Sequence, residues 1–354
     1  MSSTIPDSMY AWRKHRGNPE PVWEQVAVPK PSANEVLVKL IASGVCRSDL
    51  SLLQIEKQAG WFREKYILGH EGCGEIVKFG ESAAGMTSLK LGDIVALHAV
   101  PGCQEEDCPE CSRDLSQCCE RGHHSGIGQD GFYAPYAVVD VRGAVLVPQG
   151  VSPAQAAVAT DAINTAYHGI VRRAEVKPHE TVFLFGLGGL GMNALQVVRH
   201  IGARVIVLDT RQSCLDTAKS LGVPADDIVP LSMGAEEFLR NKGPETRIDT
   251  VLEFVGKHET FEAAQQIVRR GGKILCVGTL DADNTIHMKI GTRKRLSFIF
   301  TYGGQAGDLK EVLDLVAAGA IKPQVEERSL DSLPEALKGL AAGEVDGRVA
   351  LMHK

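Results

Sequence analysis

Residues 181–191 read TVFLFGLGGLG, and this stretch decides the fold. TVFLF is a short β-rich apolar run of the kind that forms a buried strand. Gly186, Gly188 and Gly191 follow at G-x-G-x-x-G spacing, with Gly189 and Leu190 between the last two, and a helical pattern, MNALQVVRH, opens directly behind them. Glycine permits the tight turn, the approach of a pyrophosphate, and close packing of helix on strand. The helix N-terminus then offers unpaired N–H groups and a positive dipole end to phosphate. The next strand, RVIVLD, ends on Asp209. An acid there accepts the ribose hydroxyls of NAD(H) and repels a 2′-phosphate. Arg211, two residues on, pulls the other way, since an arginine neutralises a 2′-phosphate.

Downstream the alternation continues. RQSCLDTAKSLG reads as helix, TVLEFVG as strand, ETFEAAQQIVRR as helix and GGKILCVG as strand. Strands alternating with helices of this length imply a parallel sheet covered on both faces. The pattern ends near residue 301. A helix, DLKEVLDLVAAG, and the terminal stretch LPEALKGLAAGEVDGRVALMHK follow it. Upstream, residues 22–150 are mostly β: VWEQVAVP, EVLVKLIASG, GCGEIVKFG, DIVALHA, YAPYAVV and AVLVP are short, β-branched and punctuated by Gly, Pro and Asp. Ser152-Pro153 then makes a good helix start, with Ser as N-cap and Pro at the first helical position.

The β-rich half carries two metal-ligand patterns. Cys103, Cys108, Cys111 and Cys119 lie in GCQEEDCPECSRDLSQCC at C-x4-C-x2-C-x7-C spacing. Four thiolates this close suit one tetrahedral zinc with no position left for substrate, which makes the knot structural. Cys118 is the competing fourth ligand. Separately, Cys46 in GVCRSDL and His70 in GHEGCG are soft and borderline donors suited to zinc. Either alone reads as a core residue. Cys73, Cys214 and Cys276 read as core thiols. His98, Trp61 and Phe62 are candidate walls of a substrate pocket.

At 354 residues the chain is long for one core and fits two domains. A formal charge of −6 argues against nucleic acid or an anionic membrane as partner. No apolar run approaches the ~20 residues that span a bilayer, and the N-terminal MSSTIPDSMYAWRKH lacks an apolar signal core. A cytoplasmic location is the expectation. Thiols stay reduced there, so clustered cysteines read as ligands rather than disulfides.

Taken in order and spacing, GVCRSDL, GHEGCGEIVKFGE, LGDIVA, the cysteine knot, FGLGGLG and GEVDGRVAL resemble the zinc-dependent medium-chain alcohol dehydrogenases over nearly the whole chain. The resemblance implies an α/β protein: a GroES-like β-rich catalytic domain over 1–151 and 301–354, and a doubly wound Rossmann coenzyme domain over 152–300. It implies two Zn2+ per subunit, one catalytic and one structural, with NAD(H), an alcohol, aldehyde or ketone as substrate, and a homodimer or homotetramer. Cys46 and His70 become catalytic zinc ligands. The family's third ligand, often cysteine, falls in VATDAINTAYHGI, which has no cysteine. Asp161 occupies the place, and some members use a carboxylate there. Glu71 becomes an exchange ligand. Ser48 relays the alcohol proton, but Ser51 stands where the family often ends the proton path with histidine. Thr165 is assigned to the nicotinamide, Val255 and Val277 to the coenzyme in general, and Arg47 and Arg348 to its pyrophosphate. An alkene (1,4-) reductase on the same scaffold and a non-enzymatic NAD-binding protein are the alternative readings.

Overall fold

A computed structural model describes residues 5–55 and 58–354, so the first four residues of the N-terminal segment lie outside it. The chain divides into two compact units. One comprises Met1–Asp161, Gln305–Ala317 and Pro323–Lys354; the other comprises Ala162–Gly304 and Ala318–Lys322. The first division expected, at residue 151, falls earlier than this. The helix Pro153–Val158 accounts for the difference, because it packs on the β-sheet of the first unit through strands Glu35–Val45, Glu71–Phe79 and Arg348–Met352.

That sheet has seven strands. Its path runs Val325–Ser329, Arg348–Met352, Glu35–Val45, Glu71–Phe79, Ile94–Leu97 and Ala144–Leu146, with Tyr136–Asp140 added to Glu35–Val45. YAPYAVV reads as a strand from its first residue, but the strand begins only at Tyr136. Pro135 has no N–H to give the ladder and only accepts, from the Leu40 N–H at 2.9 Å, so the regular strand starts after it. A second sheet joins Val22–Ala27, Ser8–His15 and Lys65–Ile67.

The antiparallel register of Glu35–Val45 positions the site. Gly44 lies opposite Glu71 on one side and Ala350 on the other, and Val45 opposite Val349. The chain leaving Val45, the chain entering Glu71 and the start of the last strand therefore emerge at one end of the sheet. A Cβ on Gly44 would lie 1.9 Å from Glu71 Oε2, so only glycine leaves that carboxylate room.

The second unit holds a five-stranded, all-parallel sheet in the order Arg204–Leu208, Thr181–Phe185, Ile248–Glu253, Val268–Cys276, Ser297–Phe300. Strand order reverses at Thr181–Phe185, and such a switch point opens a crevice at the strand ends where ligands bind. The glycine loop leaves from that strand, and the helix Gly191–Ile201 follows it. Beyond Arg204–Leu208, a single bridge between Val207 and Ile228 stands where a further strand would add. No helix among the described residues is long and apolar enough to cross a membrane.

Candidate metal centre and coenzyme loop

Each of the four segments bearing a predicted ligand has a local reason for its shape. Cys46 is the N-cap of the helix Arg47–Gln54, and its N–H donates to Asp49 Oδ2 at 3.0 Å. His70 follows Gly69, whose φ of +90° is the left-handed conformation that glycine adopts freely. Glu71 opens its strand. Asp161 lies in a widened π-helical turn, Ala159–Ile163, that follows Pro153–Val158. That short helix is begun by a capping box between Ser152 and Gln155. Within the wide turn, the Thr160 hydroxyl donates to the Ala157 carbonyl at 2.7 Å and so competes with the α-helical ladder.

These segments converge. One donor atom each from Cys46, His70, Glu71 and Asp161 lies within 4.8 Å of the others. Cys46 Sγ is 3.3 Å and His70 Nε2 is 3.9 Å from Asp161 Oδ2. The edges of a zinc tetrahedron with such donors are about 3.4–3.5 Å, from bonds of about 2.0–2.3 Å. Glu71 is fully buried, and its Oε2 has no hydrogen-bond partner. Burial disfavours a charged His70, yet the carboxylates of Asp49 and Asp161 outweigh that and hold its pKa well above the usual value. An imidazole drawn toward positive charge, an unsatisfied carboxylate oxygen and a nearby thiol together fit a divalent cation.

Behind the donors stands a layer that sequence reading missed. Asp49 is completely buried, and its Oδ1 faces His70 Nδ1 at 3.2 Å. A carboxylate behind a metal-ligating histidine fixes the ring's orientation and tautomer. Tyr133 donates to Asp49 Oδ2 at 2.6 Å. Burial, and then the Asp49 charge, push the Tyr133 pKa well above its ordinary value, so it stays a donor. The signal for Asp49 was its place at the third position of a helix begun by Cys46, the position from which an acid reaches back to the N-cap.

Arg348, expected at the pyrophosphate, is 5% exposed, and its Nη2 donates to Glu71 Oε1 while standing 3.9 Å from Asp161 Oδ2. Ser48 Oγ stands 3.6 Å from Cys46 Sγ. Ser48, Ser51 and Arg47 are exposed on the helix Arg47–Gln54.

The knot is a separate group. Cys103 Sγ lies 3.9 Å from Cys111 Sγ, and Cys108 Sγ lies 3.7 Å from Cys119 Sγ. A zinc tetrahedron with sulfur bonds of about 2.3 Å has edges of about 3.8 Å. Disulfides, at about 2.05 Å, are excluded. Cys119 is buried in the group with the other three thiols, whereas Cys118 is exposed. Backbone N–H groups point at sulfur, from Cys103 to Cys119 at 3.3 Å and from Gln104 to Cys111 at 3.4 Å. Burial raises the Cys119 thiol, but the Cys103 and Arg121 N–H groups overcome it and bring the pKa down to about 7. Burial and the neighbouring thiols push Cys103 up to about 12. Four thiolates therefore need a cation to coexist. The loop bends hard around them: Gln104 and Asp114 both take φ of +57°.

In the second unit the three loop glycines divide by cause. A Cβ on Gly191 would sit 1.9 Å from the Gly186 carbonyl oxygen, and one on Gly186 would sit 2.7 Å from the Val255 side chain. The fold itself requires both. A Cβ on Gly188 would meet nothing within 4 Å, so the space over it is open for a ligand. Asp209 accepts N–H bonds from Leu187 at 2.6 Å and Arg211 at 2.9 Å, which sets its carboxylate against the loop. Arg211 Nε lies 3.5 Å from the same carboxylate. Thr165 is buried in the helix Asn164–Tyr167, and Val255 and Val277 are half-buried just past the ends of two central strands.

Comparison with known proteins agrees with this geometry. Residues 32–149 match the model for the alcohol dehydrogenase GroES-like domain, and residues 189–318 match that for zinc-binding dehydrogenase. An alcohol dehydrogenase of Geobacillus stearothermophilus is 32% identical over 335 residues, covering 93% of this chain and 95% of that protein. The chain belongs to the zinc-binding alcohol dehydrogenase family. Among solved structures, acetophenone reductase from Geotrichum candidum in complex with NAD superposes with a TM-score of 0.88 at 31% identity, over 99% of this chain and 98% of that one. An acryloyl-coenzyme A reductase of Metallosphaera sedula is 31% identical over 312 residues, covering 85% of this chain and 86% of that protein. Relatives of this chain thus carry names from carbonyl and from alkene chemistry.

Proposed function

We propose that the protein is a zinc- and NAD(H)-dependent alcohol dehydrogenase that interconverts a small alcohol with its aldehyde or ketone. The observation that carries this is the meeting of Cys46, His70 and Asp161 donor atoms beside the Ser48 hydroxyl. When bound, zinc supplies a Lewis acid for the substrate oxygen and NAD(H) exchanges hydride with the substrate carbon.

The chain's own residues do the rest. Cys46, His70 and Asp161 hold the metal, with the charges of one thiolate and one carboxylate balancing a divalent ion. Glu71 is an exchange ligand, and Arg348 restrains it by occupying Oε1. Ser48 relays the hydroxyl proton, accepting it at Oγ as its own proton leaves. Ser51 lies one helical turn further along on the exposed face of the same helix, where the proton passes to water. The loop Gly186 to Gly191 seats the pyrophosphate, with Arg47 contributing charge, while Asp209 holds the adenosine ribose. Thr165 bounds the nicotinamide, and Val255 and Val277 contribute to the coenzyme site. The knot of Cys103, Cys108, Cys111 and Cys119 holds the second zinc and orders its loop. We further propose a cytoplasmic homo-oligomer.

Alkene reduction is the second reading, motivated by the acryloyl-coenzyme A reductase relative. The alcohol dehydrogenase relative, 32% identical over 93% of the chain, favours the first. Turnover of NAD+ and NADH with a panel of alcohols, aldehydes, ketones and enals separates them. Alcohol oxidation or carbonyl reduction abolished by a chelator is the expected result. NADH consumption with enals alone would favour the alkene reading.

A further inference from the structure

We propose that Tyr133 is a positioning residue for the catalytic metal, holding the Asp49 carboxylate at the angle that orients His70. The inference rests on Cys46, His70 and Asp161 being the metal ligands.

Three contacts carry it. The Tyr133 hydroxyl is 2.6 Å from Asp49 Oδ2 and 3.0 Å from the Gly44 carbonyl oxygen. The charged, nearer acceptor takes the hydrogen. Next, the Tyr133 ring lies where a Cβ on Gly69 would be, 2.5 Å from Cδ1, so ring and glycine are fitted to each other. Finally, the Tyr133 N–H donates to the Leu68 carbonyl at 2.9 Å. One fully buried residue therefore touches the strand that ends at Val45, the helix capped by Cys46 and the loop that delivers His70.

The hydroxyl is the informative atom. Asp49 Oδ2 accepts from the Cys46 N–H and from Tyr133, while Oδ1 faces His70. Two donors on one oxygen fix the carboxylate plane, and the plane fixes Oδ1. Phenylalanine at 133 would keep the ring on Gly69 but leave Asp49 with the Cys46 N–H alone on that oxygen. The carboxylate then gains rotational freedom, and His70 loses its fixed orientation. Partners of metal-ligating histidines typically set affinity by 10–100-fold. Tyr133 acts one bond further out, so an effect of about tenfold, at the lower end, is expected.

The test uses the full chain with both metal sites loaded. Zinc affinity is measured by chelator competition for wild type, Tyr133→Phe, Asp49→Asn and the double variant, with His70→Ala as control. Tyr133→Phe should keep the knot zinc and bind the other about tenfold more weakly, at a melting temperature in excess zinc close to wild type. With cobalt in the catalytic site, its visible absorption should shift, a signature that packing alone would not move. The double variant should lose little more affinity than Asp49→Asn, because Tyr133 acts through Asp49. Unchanged competition and cobalt spectra in Tyr133→Phe, or additive losses in the double variant, overturn the inference. His70→Ala reports on the underlying reading independently: loss of one zinc supports it, and two retained zincs remove it together with this inference.

Discussion

The two cation sites of the catalytic unit are built in opposite ways. The knot takes four thiols from one continuous loop and steadies them with that loop's own N–H groups. The second site gathers Cys46 and Asp161 from positions 115 residues apart and steadies its donors with side chains, Asp49 behind His70 and Arg348 behind Glu71. A site made of one ligand type and local backbone is closed and serves the fold. A site of mixed donors held by a second layer of side chains has adjustable ligand basicity and a carboxylate, Glu71, in reserve. On the proposed function, that contrast is the difference between a structural and a catalytic metal site.

The contrast predicts which variants fail in which way. The largest effect on stability belongs to the knot. Cys108→Ala should release one zinc per chain and lower the melting temperature, with the other zinc retained. A site saturated about a thousandfold over its Kd contributes about 4 kcal/mol, or roughly 10 °C at about 2–4 °C per kcal/mol. Normal melting with full zinc would remove the structural assignment. Ser48→Ala should do the reverse. Both metals and the melting temperature stay, while kcat for alcohol oxidation falls about 100-fold, about 2.7 kcal/mol, within the range for a proton-transfer group.

Smaller effects sharpen the same division in the coenzyme loop. Gly191→Ala should cost stability, because its Cβ collides with the Gly186 carbonyl. Gly188→Ala should melt normally yet bind NAD(H) weakly, because only the ligand needs that space; thermal melting and coenzyme titration on both variants check the pair. Asp209→Ser should shrink an NAD(H) preference of about tenfold, about 1.4 kcal/mol. A wild type with equal kcat/KM for NADPH would show that Arg211 rather than Asp209 decides.

What the sequence revealed follows the same local-versus-dispersed line. The glycine loop and the knot were legible because their chemistry lies within a few consecutive residues. Cys46 and His70 were legible as a pair only through the resemblance, and Asp161 only by position in it. Asp49 was within a quoted motif but unrecognised, since its role depends on where His70 arrives. Tyr133 lies 84 residues from Asp49, and Arg348 lies 277 from Glu71. Those pairings exist only through the antiparallel register around Glu35–Val45, which no spacing rule contains. The strand start at Tyr136 and the unit boundary beyond Pro153–Val158 were displaced for similar reasons: one missing N–H, and one helix that packs on the sheet before it.

The most direct measurement is zinc content per chain, by metal analysis after exhaustive dialysis, for wild type and Asp161→Ala, alongside alcohol oxidation. Two zincs are expected in the wild type and one in Asp161→Ala, with the knot intact by melting and activity lost, while Asp161→Cys keeps two because thiolate conserves the charge. Two zincs and near-normal kcat in Asp161→Ala would contradict this assignment and move the third ligand to Glu71.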